Sequence, residues 1–391
     1  MAHIVEAPKV GSAAVDTRPS IPATGLHSSH NTKNGSTKEN TMTKQLSSSV
    51  VHTTEIVLPG IVEPSGLQIR QRVLPELVQG QALICVEATG VSFAEKGMRR
   101  GRYYGQPPFP FVLGYDLVGT VTAVGPNASP AEVSLIGRRV AAITKIGGWA
   151  SHVILEAADL VEVPAEIDAI SAETVVVNGV TAWQMLHRHA KVKSGQTIVV
   201  LGANSGVGTT LVQLARHEGV RVIGTANPRH HEALRKLGVE PLDYRHPQLE
   251  EQIRFLAPNG VDAVFDHLGG ASIKRSWRLL ATGGALVCYG MATMKETGSL
   301  LLVFLPVLAK LALWNALPNG RRATFYNIWG GARRKEAWRN RMQEDLRQVL
   351  TFVQEGIIEP QVAARFPLTQ AARAMELSES RTVLGKVILE P

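Results

Sequence analysis

The stretch from Thr197 to Thr210 reads TIVVLGANSGVGTT, and the amphipathic segment LVQLARHEG follows it directly. An apolar, β-branched run typical of a buried parallel strand breaks into glycines, and a helical pattern begins at once. Such glycines let backbone approach a pyrophosphate, and the free N–H groups at the helix start attract its charge. The context predicts a dinucleotide site, although a tight turn without a ligand is the alternative. The residues predicted to form it are Gly202, Asn204, Ser205, Gly206, Val207 and Gly208, with Ser205 standing where a further glycine is common.

The end of the second predicted strand, RVIGTA, indicates which nicotinamide cofactor binds. NAD-selective sites usually place an acidic residue there for the ribose 2′-hydroxyl, but this chain has Thr225 and Asn227, followed by Arg229 and His230. An arginine can hold a 2′-phosphate with paired donors, so the pattern favours NADP(H). The alternative for Arg229 is a solvated charge that opens the next helix.

Three further strand ends lie where a cofactor would pass. Tyr244, in LDYR, ends a third predicted strand, where it either contacts the adenosine end or packs against a helix. FDHLGG and ALVCYG close two more strands in glycine, and Gly269 and Gly290 are expected where backbone runs beneath a nicotinamide. FDHLGG also sets an acid beside a histidine, which turn chemistry explains more simply than catalysis.

Composition is that of a cytoplasmic enzyme with two domains. The 391 residues are 45% hydrophobic, which is ample for two cores, and the only cysteines, Cys85 and Cys288, lie in apolar strand-like runs. Two cysteines cannot build a structural zinc site or a disulfide framework, and this suits a reducing compartment. The net charge of +8 comes largely from arginines between Arg321 and Arg347, which without aromatic interleaving indicate a solvated face rather than nucleic-acid binding.

The chain divides into four parts by pattern. Residues 1–50 are rich in Ser, Thr, Asn, Gly and Pro and are expected to form a disordered tail. Residues 51–177 predict a compact barrel-like β domain, residues 178–330 the nucleotide-binding domain, and residues 331–391 a return to the β domain. The predicted early strands are Thr54 to Val57, Leu67 to Val73, Gln81 to Thr89, Asp116 to Val124, Arg139 to Ile143 and Ala150 to Val153. Later elements are a helix from Ala172 to His189, a helix from Glu344 to Gln354 and a final strand from Arg381 to Leu389.

An apolar segment, Leu300 to Leu317, precedes a β-prone run, Thr324 to Trp329. Pro306, Lys310 and Asn315 interrupt the apolar segment, so a helix packed on a partner or over the site is favoured over a membrane span. Peripheral membrane contact stays open. The β-prone run is expected to be an edge strand that pairs with its own copy across a two-fold axis, giving a homodimer.

Together these motifs resemble the medium-chain dehydrogenase/reductase superfamily over residues 52–391, and within it the zinc-free quinone oxidoreductase branch. The resemblance rests on GVSFAEKGMRRGRYYGQPPFPFVLGYDLVGTVTAVG at 90–125, NGVTAWQML, the glycine loop, GTA, DYR, DHLGG and LGKVIL. HEALRKLGVEPLDY and YGMATMKETG are most similar to the vesicle amine transport protein group. The implied fold is α/β, with a GroES-like β-barrel catalytic domain and a doubly wound Rossmann nucleotide-binding domain.

The resemblance also implies roles and a missing metal. Zinc alcohol dehydrogenases carry a cysteine where this chain has Ser92 and a histidine where it has Tyr115, so no catalytic zinc is expected. Tyr103 matches the substrate-side tyrosine of the family, with Tyr104 as a competitor, and Ser92 stands beside the nicotinamide. Thr181 and Lys386 match cofactor-side positions.

Without a Lewis acid to polarise a simple carbonyl, the implied activity is NADPH-dependent reduction of a quinone or an α,β-unsaturated carbonyl. Two alternatives remain open. One is an NADPH-binding lipid or membrane adaptor with little catalysis, and the other is an enoyl reductase of a biosynthetic pathway.

Overall fold

The computed structural model describes residues 50–291 and 300–391, with backbone alone for residues 300–303. The predicted N-terminal tail therefore lies outside the described residues. The described chain from residue 50 onward belongs to one compact unit. Within it the strands form three sheets, and two of these position the candidate site.

The first part of the described chain is a β region with two short helices. Its strands are β1 His52–Leu58, β2 Gln68–Val73, β3 Gln81–Val91, β4 Phe111–Val112, β5 Asp116–Val124, β6 Arg139–Ile143, β7 His152–Glu156 and β8 Val161–Glu162. Its helices are α1 Phe93–Arg99 and α2 Pro130–Ser134. All six predicted early strands are present, although β7 begins at His152 instead of Ala150. The two-residue strands β4 and β8 were missed because they are too short for a period-2 pattern.

A buried helix, α3 Ala169–Trp183, follows the β region. Asp168 caps it by accepting hydrogen bonds from the Ile170 and Ser171 N–H groups. The helix continues as a π-helical turn, Gln184–Ala190, so the predicted helix to His189 is confirmed in extent. The central residues of α3 are buried all round, because the helix packs against β3, β5 and two later helices, Gly206–His217 and Lys335–Gln354.

The second part of the chain builds a parallel sheet with helices between its strands. Its elements are β9 Thr197–Leu201, α4 Gly206–His217, β10 Arg221–Ala226, α5 His231–Lys236, β11 Glu240–Asp243, α6 Leu249–Leu256, β12 Val261–Asp266, α7 Ala271–Leu279, β13 Leu280–Cys288, α8 Leu300–Asn315 and β14 Arg322–Phe325. The six strands run parallel in the order β11-β10-β9-β12-β13-β14. The chain order reverses beside β9, and that switch point is where such sheets bind ligands. The predicted doubly wound Rossmann fold is confirmed.

The C-terminal part returns to the β region. Its elements are α9 Lys335–Gln354, β15 Val362–Pro367, α10 Ala371–Glu379 and β16 Lys386–Glu390. β16 pairs antiparallel with β3, so the sheet runs β15-β16-β3-β5-β6-β8 with β7 on β3. The predicted final strand is confirmed from Lys386 onward. The predicted helix from Glu344 is the second half of α9, whose first turns are too rich in charge to show an apolar period.

The prediction that Thr324 to Trp329 forms an edge strand is confirmed, because β14 is the last strand of the parallel sheet, but its bounds were wrong. β14 ends at Phe325, and the chain then turns inward, so that Tyr326 and Ile328 are buried. On the outer side of β14, the Asn315 side chain accepts from the Ala323 N–H (2.7 Å) and donates to the Ala323 carbonyl (2.9 Å). An amide side chain thus occupies part of the edge where a second copy was expected to pair.

The α8 helix presents an apolar face. Leu305, Leu308 and Leu313 are between 46% and 65% exposed, whereas Leu311 is buried against the sheet. Among the described residues, no helix combines the length and the apolar character that crossing a membrane requires. The apolar segment is therefore a surface helix with one face on the Rossmann sheet.

A buried ion cluster joins three elements at the centre of the unit. The Lys386 ammonium of β16 contacts the carboxylates of Asp116 on β5 (2.7 Å) and Glu173 on α3 (2.8 Å). All three side chains are at most 3% exposed. Burial alone lowers the pKa of Lys386, but Asp116 and Glu173 outweigh it and raise that pKa above its usual range. Burial raises the pKa of Glu173 well above its ordinary value, against the opposing effect of Lys386.

We expect Lys386→Met to lower the free energy of unfolding by about 3–5 kcal/mol, because it leaves buried carboxylates without a cation. The matched control is Arg138→Met, which removes the exposed pair between Arg138 and Glu162 (3.6 Å) and should change it by about 0–1 kcal/mol. Urea unfolding of both variants is the measurement. Equal losses in the two variants would contradict the central role of the cluster.

Candidate functional site

The glycine loop after β9 is shaped to admit a phosphate. Gly202 has φ +69°, and a Cβ added there would lie 2.5 Å from the His267 ring. A Cβ at Gly206 would meet Asn178, and one at Gly208 would lie 2.4 Å from the Gly202 carbonyl, so helix and loop pack closely. Only glycine fits at these three positions. This is the requirement of a turn that brings backbone close to a dinucleotide.

Helix geometry leaves donors for a pyrophosphate at the start of α4. The N–H groups of Gly206 and Val207 have no carbonyl partner within the helix, and N–H groups at a helix start attract an anion. Ser205 is the N-cap, and its hydroxyl accepts from the Gly208 N–H (3.0 Å). The serine that departs from the glycine pattern thus caps the helix.

Two segments hold the loop in place from either side. The buried Thr225 hydroxyl accepts from the Gly202 N–H (3.2 Å), so it supports the loop instead of reaching outward. On the other side, the Asn204 side chain donates to the Val383 carbonyl, and the Gly385 N–H donates to the Asn204 carbonyl (3.0 Å). The predicted cofactor residues Thr225 and Asn204 therefore fix the shape of the loop.

The ends of β10 and β11 bring two arginines to one exposed corner. The Tyr244 N–H donates to the Ala226 carbonyl, so the two strand ends are adjacent. Asn227 accepts from the backbone and side chain of Arg229, and the Arg245 guanidinium lies over the Tyr244 ring at 5.2 Å. Arg245 Nε also donates to the Tyr244 hydroxyl (2.8 Å). No carboxylate ends β10, and the side chains of Arg229 and Arg245 are both exposed.

His230 does not join this corner. It is 7% exposed, and its Nε2 has no hydrogen-bond partner among the described residues. Burial lowers its pKa, and the neighbouring Arg229 adds to the effect. The structure turns His230 inward, whereas the adjacent Arg229 remains exposed.

The carboxyl ends of β12 and β13 meet beside the glycine loop. A Cβ at Gly269 would lie 3.0 Å from the Met291 Cα, and one at Gly290 would lie 2.7 Å from the His267 carbonyl. The predicted pair Gly269 and Gly290 is therefore brought together. Beside them the Tyr289 hydroxyl is buried without a hydrogen-bond partner among the described residues, which leaves a polar atom for a bound group.

The acid and histidine of FDHLGG have structural roles. Asp266 accepts from the Leu268 N–H (2.8 Å), the Gly269 N–H and the Ser276 hydroxyl. The His267 Nδ1 lies 3.0 Å from the Leu201 carbonyl, and burial lowers the pKa of this histidine. Turn chemistry explains Asp266, and His267 packs over the glycine loop.

Ser92 and Tyr115, at the two positions of the absent zinc ligands, share one buried glutamate. The Ser92 hydroxyl and N–H both donate to Glu95, and the Tyr115 N–H donates to the other oxygen of Glu95 (2.8 Å). The Ser92 hydroxyl also accepts from the Ala94 N–H and caps α1. Its single hydrogen is thus committed to Glu95, so the structure does not present Ser92 as a free donor. Burial raises the pKa of Glu95.

Tyr103 lies in a chain of hydrogen bonds that starts from the Rossmann side. Its hydroxyl oxygen is 2.7 Å from that of Tyr115, and the Trp329 indole N–H donates to Tyr115. Trp329 follows β14 and therefore lies beyond the carboxyl edge of the parallel sheet, where cofactors bind in this fold. Tyr104, the competing tyrosine, is 68% exposed and outside this chain.

Two other predicted residues lie in the interior. Thr181 is 8% exposed on α3. Tyr326 donates its hydroxyl hydrogen to the Gln184 side chain (3.0 Å), and burial raises the pKa of Tyr326. Lys386 belongs to the buried ion cluster, and Asp116, Glu173 and the Glu173 carbonyl take up its N–H groups. The structure thus corrects the expectation for Lys386: it positions β16 and has no donor left for a cofactor. In the described part of the chain, no three His, Cys, Asp or Glu side chains are grouped to hold a metal.

Reasoning from sequence missed Arg245, Tyr289, Glu95 and Trp329. Arg245 directly follows the predicted strand end LDYR, so its charge was a usable signal. Glu95 stands three residues after Ser92, which is the spacing of a capping box. Trp329 carried no signal, because its partner Tyr115 is 214 residues away in the chain.

Comparisons with known proteins agree with this architecture. Residues 78–165 match the alcohol dehydrogenase GroES-like domain family, and residues 237–389 match the zinc-binding dehydrogenase family. The synaptic vesicle membrane protein VAT-1 homolog of Rattus norvegicus is 30% identical over 335 residues, covering 83% of this chain and 80% of that protein. A 2-haloacrylate reductase of Burkholderia sp is 28% identical over 327 residues, covering 80% of this chain and 91% of the reductase. A solved mycobacterial protein complexed with NADPH has a TM-score of 0.73 and 27% identity, covering 87% of this chain and 100% of that one.

We expect Arg229→Ala and Arg245→Ala each to weaken NADPH binding by about 1–3 kcal/mol, because each removes a charge-assisted contact to the 2′-phosphate. NADH binding should hardly change. Arg235→Ala, an exposed arginine on α5, is the matched control for net charge and should leave both affinities as they are. Titration of each variant with the two cofactors is the measurement, and equal losses for NADPH and NADH would contradict the assignment.

Proposed function

Because this chain belongs to the medium-chain dehydrogenase/reductase superfamily, in the zinc-free quinone oxidoreductase-like branch near the VAT-1 homologues, we propose that it is an NADPH-dependent reductase. Its acceptors would be quinones or α,β-unsaturated carbonyl compounds. The observation that carries the proposal is that two features occur together in this chain. One is the glycine loop with Gly202, Gly206 and Gly208, and the other is the buried Glu95 to which Ser92 and Tyr115 donate hydrogen bonds.

NADP(H) would be held by the glycine loop and by the two arginines that follow β10 and β11. Gly206 and Val207 would bind the pyrophosphate through their N–H groups, and Arg229 and Arg245 the 2′-phosphate. Gly269 and Gly290 would allow the nicotinamide to pass close to backbone. When bound, the reduced cofactor supplies a hydride.

Tyr103 would act on the acceptor oxygen. When a conjugated acceptor takes up hydride at carbon, negative charge develops on its oxygen, and the Tyr103 hydroxyl would donate a hydrogen bond there. Burial raises the pKa of Tyr103, so the hydroxyl keeps its hydrogen at neutral pH and remains a donor. A proton from water completes the neutral product.

The absence of zinc ligands at Ser92 and Tyr115 bears on the substrate class. In zinc-dependent alcohol dehydrogenases the metal polarises the oxygen of a simple alcohol or ketone, and neither a hydroxyl nor a phenol replaces the thiolate and imidazole that hold it. Quinones and enones are already electrophilic through conjugation. A single hydrogen-bond donor such as Tyr103 therefore suffices for them.

We expect purified protein to oxidise NADPH in the presence of at least one of a naphthoquinone, a cyclic enone and an enoyl thioester, and not with simple ketones. Tyr103→Phe should lower kcat for the enone by about 100-fold, the usual effect of losing a donor to a developing oxyanion. Tyr104→Phe is the matched control, because its ring is exposed, and should retain full activity. The measurement is the rate at which the absorbance of NADPH falls. No turnover with any conjugated acceptor would reject the proposal.

The domain boundaries and the location of the protein extend the proposal. We propose that the catalytic domain comprises residues 51–177 and 331–391 and the nucleotide-binding domain residues 178–330, supported by the pairing of β16 with β3. We also propose a cytoplasmic location, supported by the two free cysteines Cys85 and Cys288.

The exposed apolar face of α8 favours an additional binding role. Leu305, Leu308 and Leu313 line this face, and Arg321 and Arg322 follow the helix. Such a face suits either a second copy of the chain or an anionic membrane surface. We propose the homodimer, with contact through α8, because the Asn315 side chain already occupies the Ala323 edge of β14.

We expect light scattering to give a dimer for the wild type and a monomer for the double variant Leu308→Glu, Leu313→Glu, because two buried carboxylates would oppose the interface. The matched control is Val133→Glu, Ile136→Glu, which charges exposed apolar residues near α2. A wild-type monomer that sediments with anionic liposomes would instead support the membrane adaptor.

A further inference from the structure

Tyr115 and Trp329 form a hydrogen-bonded pair that the reduction scheme does not use. Tyr115 is 3% exposed, and its hydroxyl oxygen lies 2.7 Å from the Tyr103 hydroxyl oxygen. The Trp329 indole nitrogen reaches the same Tyr115 oxygen from the Rossmann side. The Tyr115 ring meets the Tyr103 and Trp329 rings edge-on, with both centroid distances 6.0 Å.

The indole and the burial of Tyr115 favour one direction for this chain. An indole N–H donates and cannot accept, so the Tyr115 oxygen is the acceptor from Trp329. The distance between the two phenol oxygens allows either hydroxyl to be the donor. Tyr115 is buried, however, so its single hydrogen needs an acceptor, and the Tyr103 oxygen lies within reach of it. With Tyr115 as the donor, the Tyr103 oxygen is engaged as an acceptor, and its own hydrogen is left to point elsewhere.

We propose that Trp329 and Tyr115 are positioning residues that direct the Tyr103 hydroxyl hydrogen toward the acceptor oxygen. The inference rests on the proposed function, because it gives that hydrogen its target. It assigns a role in the reaction to Trp329, which follows the last strand of the Rossmann sheet. It assigns another to Tyr115, which stands where zinc alcohol dehydrogenases carry a zinc ligand. In this chain a directed series of hydrogen bonds stands where related enzymes hold a metal.

The surroundings hold Trp329 in one orientation. Its ring stacks on Trp338 at 4.9 Å with an interplanar angle of 19°, and the Trp338 indole N–H donates to the Ile328 carbonyl (2.9 Å). The Lys145 ammonium lies 5.8 Å from the Trp329 ring centroid. A donor held between a stacked ring and a cation has little freedom to turn away from Tyr115.

The pKa shifts of the two phenols agree with Tyr115 as the donor and Tyr103 as the acceptor. Burial raises the pKa of Tyr103, and the hydrogen bond from Tyr115 opposes that rise. Burial raises the pKa of Tyr115 still further, and its donation to Tyr103 adds to the effect. A donor whose oxygen is already an acceptor also forms a stronger hydrogen bond to the substrate.

Kinetics of three variants test the role in catalysis. Tyr115→Phe and Trp329→Phe keep an aromatic ring and remove one polar group, and each should lower kcat about ten-fold with an unchanged affinity for NADPH. In a Tyr103→Phe background, Tyr115→Phe should cause no further loss, because the hydrogen it directs is gone. Tyr104→Phe is the control with full activity. Unchanged kcat in Tyr115→Phe, or a full additional loss in the double variant, would overturn the proposal.

A spectroscopic measurement tests the chain independently of turnover. Among the six tryptophans, the indole N–H resonance missing from Trp329→Phe identifies Trp329 in an isotope-labelled sample. In Tyr115→Phe that resonance should shift and its hydrogen should exchange faster with water, whereas Tyr104→Phe should leave it in place. A resonance that stays in place in Tyr115→Phe would overturn the chain. If the wild type turned over no acceptor while the resonance shifted, the reductase assignment would fail and the hydrogen-bond chain would stand.

Discussion

The contact of the Lys386 ammonium with Asp116 and Glu173 is the interaction on which the rest of the structure depends. It ties the last strand to the β region and to α3, the helix that lies between the two main sheets. Gly90 on β3 makes room for it, because a Cβ there would lie 2.3 Å from the Lys386 side chain. A cluster of this kind is sensitive to the loss of one partner, since the others then remain buried without compensation.

The position of β16 in turn fixes the glycine loop after β9. Val383 and Gly385, just before Lys386, hydrogen-bond to Asn204 in the glycine loop. A change at the ion cluster should therefore alter the geometry of the glycine loop through Val383 and Gly385. This explains how Lys386 can match a cofactor-side position of the family and yet bind carboxylates in this chain.

The region around Ser92 and Tyr115 shows what holds the two positions that bind zinc in zinc alcohol dehydrogenases. Glu95 accepts hydrogen bonds from Ser92 and from the Tyr115 backbone, so both former ligand positions are fixed by one buried carboxylate. The Tyr115 ring then links Trp329 to Tyr103. Chemistry that relies on a single hydroxyl donor needs that hydroxyl to be well oriented, and the surrounding rings provide the orientation.

The sequence by itself determined the two-sheet architecture, the glycine cradle and the lack of an acid at the end of β10, because these follow from local periodicity and from residues close together in the chain. Through a family motif it also led to the prediction that Tyr103 lies on the substrate side. Tertiary structure alone decided that Lys386 is enclosed by carboxylates, that His230 turns inward, that Ser92 is a helix cap, and that Asn315 occupies part of the β14 edge. The partnership of Tyr115 with Trp329 belongs to the same group. Each depends on side chains that meet across long separations in the chain, where no local pattern records which groups will be neighbours.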